Sequence, residues 1–291
     1  MFSIISGITG MPGMAGAKRR TRKPFAGASV AILPLLVSLI LAGAAVLPVA
    51  AQDKSVPALS ATDAARATAI LKELDSLDDF SGKDYSALYT IVSEKPGEKQ
   101  NVSQARVYRR DTKDQFVILV MLPEVNKGQG YLREDNNVWF YDPTSRKFSF
   151  SSIKENLQNS EAKNADFTQT SLLDDYTIEA IGEGTVGKYP VWILDLKAKN
   201  NEVPYERTRL YVRKDRTMLL KQEDFSVSGR LMRTTLMPKY AELAGKLLPA
   251  QILIVDEVNK GEKSQITMAE QSVASLPDKV FTKAFLEQVN R

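Results

Sequence analysis

Hydrophobic residues recur with two different periods along this chain. Between residues 67 and 77 they fall every three or four positions, which places them on one face of a helix. Ser60, followed three residues later by Asp63, has the composition of a capping box at the start of such a helix. The pattern therefore predicts one amphipathic helix here and a short second helix over Asp278–Val289.

Between these two helices the period changes to that of β-strands, with short apolar runs separated by turn residues. Residues 153–175 are polar and favour an irregular segment or a short helix. Without long helices to connect parallel strands, the sheet is expected to be antiparallel and to belong to one domain. The predicted strands are Asp84–Glu94, Val102–Arg110, Phe116–Leu122, Tyr131–Arg133, Val138–Tyr141, Lys147–Ser151, Tyr176–Gly182, Tyr189–Lys197, Tyr205–Arg213, Met218–Phe225, Leu231–Pro238, Pro249–Val255 and Ser264–Ala269.

Several strands are apolar on both faces, as in Phe116–Leu122, which reads FVILVML. A meander of this length has to curl into a barrel or a strongly bent sheet. We therefore expect a mainly β protein, an unclosed antiparallel β-barrel whose two helices cover the concave face above an apolar hollow. The alternative is an ordinary β-sandwich core, in which continuous apolar runs also occur.

The first 51 residues form a segment of a different kind. They contain five basic side chains and no acidic one, followed by an apolar run from Phe25 to Val49. Small residues then precede a polar stretch, so residues 1–51 resemble a secretory signal peptide with cleavage between Ala51 and Gln52. The alternative is an uncleaved anchor, since the apolar run approaches the ~20 residues that span a bilayer. Both interpretations place residues 52–291 in the periplasm, tethered to the inner membrane in the second case.

Charge and composition exclude several classes of function. The chain has 39 basic and 35 acidic residues, and removing the five early basic ones leaves 34 against 35. The basic excess therefore belongs to the targeting segment and does not support nucleic-acid binding. The sequence contains no histidine and no cysteine. Serine-histidine and cysteine-histidine catalysis, disulfides and nearly all zinc sites are thereby excluded, and we expect no enzyme activity, metal or cofactor.

One block of residues is similar to a known family. LPEVNKGQGYL from Leu122 to Leu132 and VWFYDP from Val138 to Pro143 resemble a block of the LolA-like outer-membrane lipoprotein-sorting proteins. In that family the block reads as a proline, a Lys-Gly, a Gly-Tyr-Leu and a Trp-x-Tyr-x-Pro. The resemblance extends over most of residues 62–290, but this chain lacks the lipobox cysteine of lipid-anchored relatives.

This resemblance implies an unclosed β-barrel that carries the acyl chains of lipoproteins or other lipids across the periplasm towards the outer membrane. An inner-membrane transporter would load such a carrier and an outer-membrane acceptor would empty it, and we expect the carrier to be monomeric. The alternative is an accessory or regulatory subunit that senses lipids or lipoproteins for an envelope export or signalling system.

The candidate lipid-binding residues are apolar side chains of the strands. Alternation places Phe116, Ile118 and Val120 on one face of their strand and Trp139 with Tyr141 on one face of theirs, while Ile252 and Ile254 pose the same question. Which face lines the hollow stays open, because a one-residue slip exchanges them, and core packing is the alternative for each. The predicted site comprises Phe116, Ile118, Val120, Tyr131, Trp139, Tyr141 and Ile193.

Alternating basic and aromatic residues from Tyr205 to Arg213 form a second candidate surface. They could meet lipid headgroups, or they could form an outer face paired with acidic residues of a neighbouring strand.

Overall fold

The strand-forming segments join into a single antiparallel sheet. The computed structural model describes residues 59–80, 82–134, 137–169 and 171–289. The predicted signal peptide, with its cleavage site between Ala51 and Gln52, lies outside the described residues. The strands are β1 (Tyr85–Glu94), β2 (Asn101–Arg110), β3 (Gln115–Leu122), β4 (Gly130–Glu134), β5 (Asn137–Asp142), β6 (Lys147–Ser151), β7 (Tyr176–Val186), β8 (Tyr189–Ala198), β9 (Arg207–Arg213), β10 (Leu219–Phe225), β11 (Leu231–Leu243), β12 (Lys246–Asp256) and β13 (Lys263–Ser272).

These thirteen strands follow the order β6-β5-β4-β3-β2-β1-β13-β12-β11-β10-β9-β8-β7. Every neighbour in the sheet is also a neighbour in sequence except β1 and β13, which pair near the middle. The edge strands β6 and β7 do not pair with each other, so the sheet is not closed. The predicted fold class, mainly β with an unclosed antiparallel sheet, is confirmed.

Helices are few among the described residues. They are α1 (Ala61–Asp78), α2 (Leu172–Asp175) and α3 (Lys283–Gln288), with 3₁₀ turns at Asp111–Lys113, Glu124–Asn126, Asn164–Phe167 and Asp278–Phe281. The described residues form one compact unit. None of their helices combines the length and apolar character that crossing a membrane would require.

Helix α1 lies against strands β7–β9. Its start is capped as predicted, because the Ser60 hydroxyl accepts a 3.1 Å hydrogen bond from the Asp63 backbone amide. Its buried residues Ala67, Leu71 and Leu74 pack on a cluster that comprises Leu194, Leu196, Leu210 and Val212. We call the sheet face that carries α1 the inner face.

An irregular segment covers the other half of the inner face. Leu157, Ala162 and Phe167 pack there against Tyr89 and Ile118, in a core that also includes residues of β2, β12 and β13. The ring of Phe167 meets that of Tyr89 edge-on, with 5.1 Å between centroids. The cover of this half is therefore loop and 3₁₀ turn, as the polar composition of residues 153–175 indicated.

The C-terminal helix differs from the expectation that both helices cover one concave face. Val280, Phe281 and Leu286 pack on the outer face, where the cluster contains Val117, Leu119, Leu132 and Tyr141. Phe116 and Ile118 of β3 belong to the inner core, so alternation places Val117 and Leu119 on the outer face. There they are buried by the C-terminal segment. The two-sided apolar pattern of β3 thus reflects two covering layers, one on each face.

A salt bridge fastens the C-terminal segment to the sheet. Arg110 donates from Nε to Asp84 Oδ1 at 2.8 Å and from Nη2 to the Leu276 carbonyl at 2.6 Å. Asp84 Oδ2 also accepts from the Leu276 amide at 2.6 Å. The hydrogen bond from Arg110, reinforced by that amide, lowers the pKa of Asp84 despite its burial.

Candidate binding cavity

A cavity of about 250 Å³ lies between the inner face, α1 and the 3₁₀ turn near residue 166. Most of its wall comes from β10–β13, with two tyrosines from β1 and two leucines from α1. It is lined by Leu74, Leu77, Asp78, Phe80, Tyr85, Tyr89, Arg109, Ala165, Asp166, Thr168, Leu172, Met218, Leu219, Gln222, Arg233, Thr235, Met237, Tyr240, Leu247, Leu248, Pro249, Ile252, Ile254, Ile266 and Met268.

Apolar side chains form most of this wall, and the strand register explains why they meet. Ile252 of β12 lies opposite Ile266 of β13, and Ile254 lies opposite Thr235 of β11. Met268 of β13 lies opposite Tyr89 of β1, which continues the wall across the seam between the two halves of the chain. Leucine and isoleucine offer no hydrogen-bonding group and methionine only a weakly accepting sulfur, so this wall suits an aliphatic ligand.

One end of the cavity is polar and is organised around Arg233. Its Nε donates to Asp224 Oδ2 at 2.9 Å, and its Nη1 donates to Asp166 at 2.8 and 3.1 Å. Burial alone would lower the pKa of Arg233, but the two carboxylates outweigh it and raise the pKa well above its ordinary value. The Arg233 charge is therefore fully engaged within the protein.

A second buried arginine ties α1 to the sheet at the cavity. Arg109 of β2 donates to Asp78 Oδ1 at 3.0 Å and to the Asp78 carbonyl at 2.7 Å. It also donates to both carboxylate oxygens of Asp111, at 3.0 and 2.9 Å. Lys246 of β12 adds hydrogen bonds to the carbonyls of Ser76 and Asp79. Two cations thus lie at the C-terminal end of α1, where the helix dipole favours them.

Two tyrosine hydroxyls complete the polar groups near α1. Tyr85 and Tyr89 lie 3.4 Å apart at their hydroxyl oxygens, and the Tyr85 ring stacks on Phe80 at 5.0 Å. Burial raises the pKa of both hydroxyls, so they stay neutral at physiological pH.

The seven side chains predicted from the sequence lie elsewhere in the sheet. All are described residues, and none of them lines the cavity. Phe116, Ile118 and Tyr131 belong to the inner core, with Val120 buried on the same face. These side chains pack against other residues of the protein. Their contact with a lipid stays a prediction.

The other three predicted residues lie on the outer face. Tyr141 is buried beneath the C-terminal segment, and Trp139 meets the Phe150 ring edge-on with Lys283 Nζ 4.0 Å from its own centroid. Ile193 lies on the outer face of β8, since Leu194 and Leu196 form the inner cluster. The structure therefore separates Trp139, Tyr141 and Ile193 from the four residues of the inner face.

The residues that line the cavity carried little signal in the sequence. Alternation in the sequence singles out Ile252 and Ile254, and both line the cavity. Met218, Met237 and Met268 fit the irregular wall of a cavity, because methionine is flexible and apolar, but isolated methionines are also common in cores.

Polar pairs occupy the alternating face of β9. Arg207 contacts Glu179 at 2.9 Å, Arg209 contacts Asp195 at 2.5 Å, and the Tyr211 hydroxyl donates to Glu223 at 2.8 Å. These contacts match the interpretation of a paired outer face.

Three carboxylates approach each other outside the cavity. Oxygens of Glu161, Asp256 and Glu262 lie within 4.8 Å of one another. Lys95 Nζ lies 2.8 Å from Glu262 and 3.5 Å from Glu161. Lys95 offsets negative charge of the three carboxylates by its contacts with Glu161 and Glu262. We therefore assign no metal to this group.

Solved structures of three bacterial proteins share this architecture. A LolA superfamily protein of Nitrosomonas europaea is 22% identical, with a TM-score of 0.67 over 75% of this chain and 98% of that one. A DUF1329 family protein of Desulfovibrio piger is 22% identical, with a TM-score of 0.68 over 77% and 99%. A putative outer membrane lipoprotein-sorting protein domain of Vibrio parahaemolyticus is 15% identical, with a TM-score of 0.66 over 75% and 97%.

At these identities the comparisons establish a LolA-like fold, which confirms the resemblance found in the sequence. No curated protein has a significant match to this chain. A family model described as that of an uncharacterized protein matches residues 112–288, more than half of the chain. The protein therefore has a LolA-like fold and belongs to this uncharacterized-protein family.

Proposed function

We propose that this protein is an exported carrier that holds acyl chains of lipoproteins or other lipids in the cavity beneath α1. It would release them towards the outer membrane and would catalyse no reaction. The observation that carries the proposal is the cavity itself, about 250 Å³ in volume and walled mainly by apolar side chains, with leucine, isoleucine and methionine the most frequent. Burial of an acyl chain contributes ~0.8 kcal/mol per methylene, so apolar contact alone can retain it.

The chemistry of the lining supports a binding role over a catalytic one. The sequence has no histidine and no cysteine. The acidic groups at the cavity, Asp78 and Asp166, are bonded to Arg109 and Arg233. No lining group is thereby left as an activated base or nucleophile among the described residues.

Helix α1 is the element that would move to admit a ligand. It contributes Leu74 and Leu77 to the cavity wall. Its C-terminal end is held by discrete hydrogen bonds from Arg109 and Lys246. Such bonds can be exchanged for others by a partner, whereas continuous strand pairing cannot be broken locally at so small a cost. An inner-membrane transporter and an outer-membrane acceptor are the partners that this route requires.

The direct test is to identify what the protein carries. We expect the full chain, expressed in a bacterial host and recovered from the periplasm or envelope, to yield acyl lipid on extraction, identified by mass spectrometry. N-terminal sequencing of the same preparation tests cleavage between Ala51 and Gln52. A chain without lipid that also fails to bind a fluorescent acyl probe would contradict the proposal. Bound lipid that is never passed to acceptor membranes would favour the sensing or accessory role.

A pair of substitutions on one strand tests whether this cavity is the site. Ile252→Trp places a large ring in the cavity and should weaken binding of an acyl probe by about tenfold or more, since it removes space for several methylenes. Leu253→Trp is the matched control, because alternation puts Leu253 on the outer face of β12. Fluorescence titration of the probe measures both variants. Equal affinity of the two would place the ligand elsewhere.

A further inference from the structure

One polar group at the cavity has no partner among the described residues. Thr235 is 5% exposed and lines the cavity, and its buried hydroxyl oxygen makes no hydrogen bond with that part of the chain. A buried hydroxyl that makes no hydrogen bond destabilises the fold relative to a satisfied one, because it has lost its contacts with water and gained none in return. Such a group at the wall of a binding cavity is explained if the ligand supplies the missing hydrogen bond.

The position of Thr235 places this hydroxyl where the polar and apolar parts of the wall meet. In the strand register Thr235 lies between Gln222 of β10 and Ile254 of β12, and all three line the cavity. Arg233, two residues earlier on the same face of β11, marks the polar end. A ligand with an aliphatic chain along Ile252 and Ile254 would bring the start of its polar group to Thr235.

The charges around the cavity indicate which polar group fits. Among the described residues no lysine lines it, and its two arginines are each paired with two aspartates: Arg109 with Asp78 and Asp111, Arg233 with Asp166 and Asp224. The neighbouring Lys246 and Lys163 lie outside the lining and donate to backbone carbonyls. Since the aspartates outnumber the arginines in the two clusters, a carboxylate or phosphate would find no unpaired cation in the wall of the cavity. An ionised group buried without a counter-charge is strongly disfavoured.

We infer that the cavity selects lipids whose polar group near Thr235 is an uncharged ester or hydroxyl, with the Thr235 hydroxyl as its hydrogen-bonding partner. Free fatty acids and alkyl phosphates are then poor ligands, while acylglycerols and other fatty esters are good ones. This inference rests on the proposed function and specifies its ligand class.

Competition against a neutral fluorescent probe tests the head group. The full-chain protein is titrated with N-phenyl-1-naphthylamine, which is then displaced at pH 8 by monolauroylglycerol, by laurate or by lauryl phosphate, each below its micelle concentration. We expect monolauroylglycerol to displace the probe at concentrations about tenfold or more below those of the two anions, because their charge is uncompensated in the cavity. Equal displacement by laurate would overturn the inference.

Substitution of Thr235 separates recognition from stability. Thr235→Val should weaken monolauroylglycerol about fivefold, since one hydrogen bond is lost, and should leave laurate unchanged. Its melting temperature should stay the same or rise, because the unsatisfied hydroxyl is removed. Thr235→Ser keeps the hydroxyl and should restore binding. A Thr235→Val protein that binds monolauroylglycerol as the wild type does would overturn the inference.

Thr234→Val is the matched control on the neighbouring position. The Thr234 hydroxyl donates to Glu257 at 2.8 Å, so this change should lower the melting temperature and leave ligand selectivity intact. Different results would contradict the carrier function and the head-group preference. A wild-type chain that binds no probe would contradict the carrier function itself. Probe binding with no preference among the three competitors would contradict only the inferred preference for an uncharged head group.

Discussion

Gly130 shows how one residue sets the distance between two layers. A Cβ at this position would lie 2.5 Å from Leu286 Cδ2 and 3.3 Å from the Ile118 carbonyl oxygen. Leu286 is fully buried among the apolar side chains of the outer-face cluster. The close approach of α3 to β4 therefore requires a residue without a side chain.

We expect Gly130→Ala to lower the free energy of unfolding by about 1–3 kcal/mol through overpacking at Leu286. Urea denaturation at pH 7 measures the change. Gly182→Ala is the matched strand control, since a Cβ there would meet nothing within 4 Å. A Gly130→Ala protein as stable as the Gly182→Ala protein would show that α3 is less tightly held than its burial indicates.

At the scale of elements, the attachment of the C-terminal segment depends on pH. The pKa of Asp84 is lowered by Arg110 and by the Leu276 amide, so its stabilising contribution is present above the ordinary aspartate pKa of ~3.9. That contribution is lost as the pH falls through the lowered, folded-state pKa.

Asp84→Asn should therefore reduce the free energy of unfolding by about 2–3 kcal/mol at pH 7, because the three hydrogen bonds that the Asp84 carboxylate accepts are weakened or lost. The difference from the wild type should shrink below about pH 4, as the wild-type carboxyl becomes protonated. Denaturation curves between pH 3 and pH 7 test both statements. Asp278→Asn is the control, since the Asp278 side chain is 86% exposed and its ion pair with Arg110 contributes less than about 1 kcal/mol. A difference as large at pH 3 as at pH 7 would refute the role of ionised Asp84.

Most elements follow from local pattern, and the deviations have local causes. Strand β3 was predicted as Phe116–Leu122 and extends over Gln115–Leu122. Strand β11 was expected to end at Pro238, but it continues to Leu243 through irregular register near Lys239. Proline has no backbone N–H and is tolerated inside a strand where the pairing is irregular, as it is near Lys239. That irregularity involves the partner strand β12, which hydrophobic periodicity does not reveal.

The side on which the C-terminal helix packs is a property of assembled elements. An apolar helix and a strand that is apolar on both faces fit together equally well on either side. The close approach of Leu286 to Gly130 and the contacts of Arg110 and Asp84 with Leu276 hold the helix on the outer face. The sequence therefore predicts the existence of this helix but not its position.

At the scale of the whole molecule, the open sheet has two edge strands, β6 and β7, each with one unpaired side. Strand β6 is five residues long and begins with Lys147, and β7 has a register shift between Ile178 and Ala180 followed by Glu183. Short length, charge and irregularity each discourage pairing with another chain. The weak point is Phe150 on β6, which is 69% exposed.

We expect the protein to remain monomeric across the micromolar range, as sedimentation velocity can measure. Phe150→Ser should change the free energy of unfolding by less than about 0.5 kcal/mol, because the side chain is mostly in water. If the wild type forms dimers that Phe150→Ser abolishes, the β6 edge is an interface and the expectation is wrong.

The cavity is also a property of the whole molecule, which explains why most of its residues are not predicted from the sequence. Tyr89, Gln222 and Met268 lie on three separate strands, and Asp166 lies on a turn between β6 and β7. Their convergence depends on sheet curvature and on the inward face of each strand. A one-residue change of register would reverse that face, and no local pattern excludes such a change.

The pairing of β1 with β13 has a consequence for how the molecule is made. Every other strand pair is a local connection, but Ser93 and Ser264, whose hydroxyls lie 2.9 Å apart across this seam, are 171 residues apart in sequence. Contacts this distant form late, because the entropy of closing the loop must be overcome first. Until β13 is available, strands β1–β6 and β7–β12 are two separate sheets with four open edges, where the finished protein has two. The unfinished chain is therefore the form most exposed to aggregation, and the last strand removes two of those edges at once.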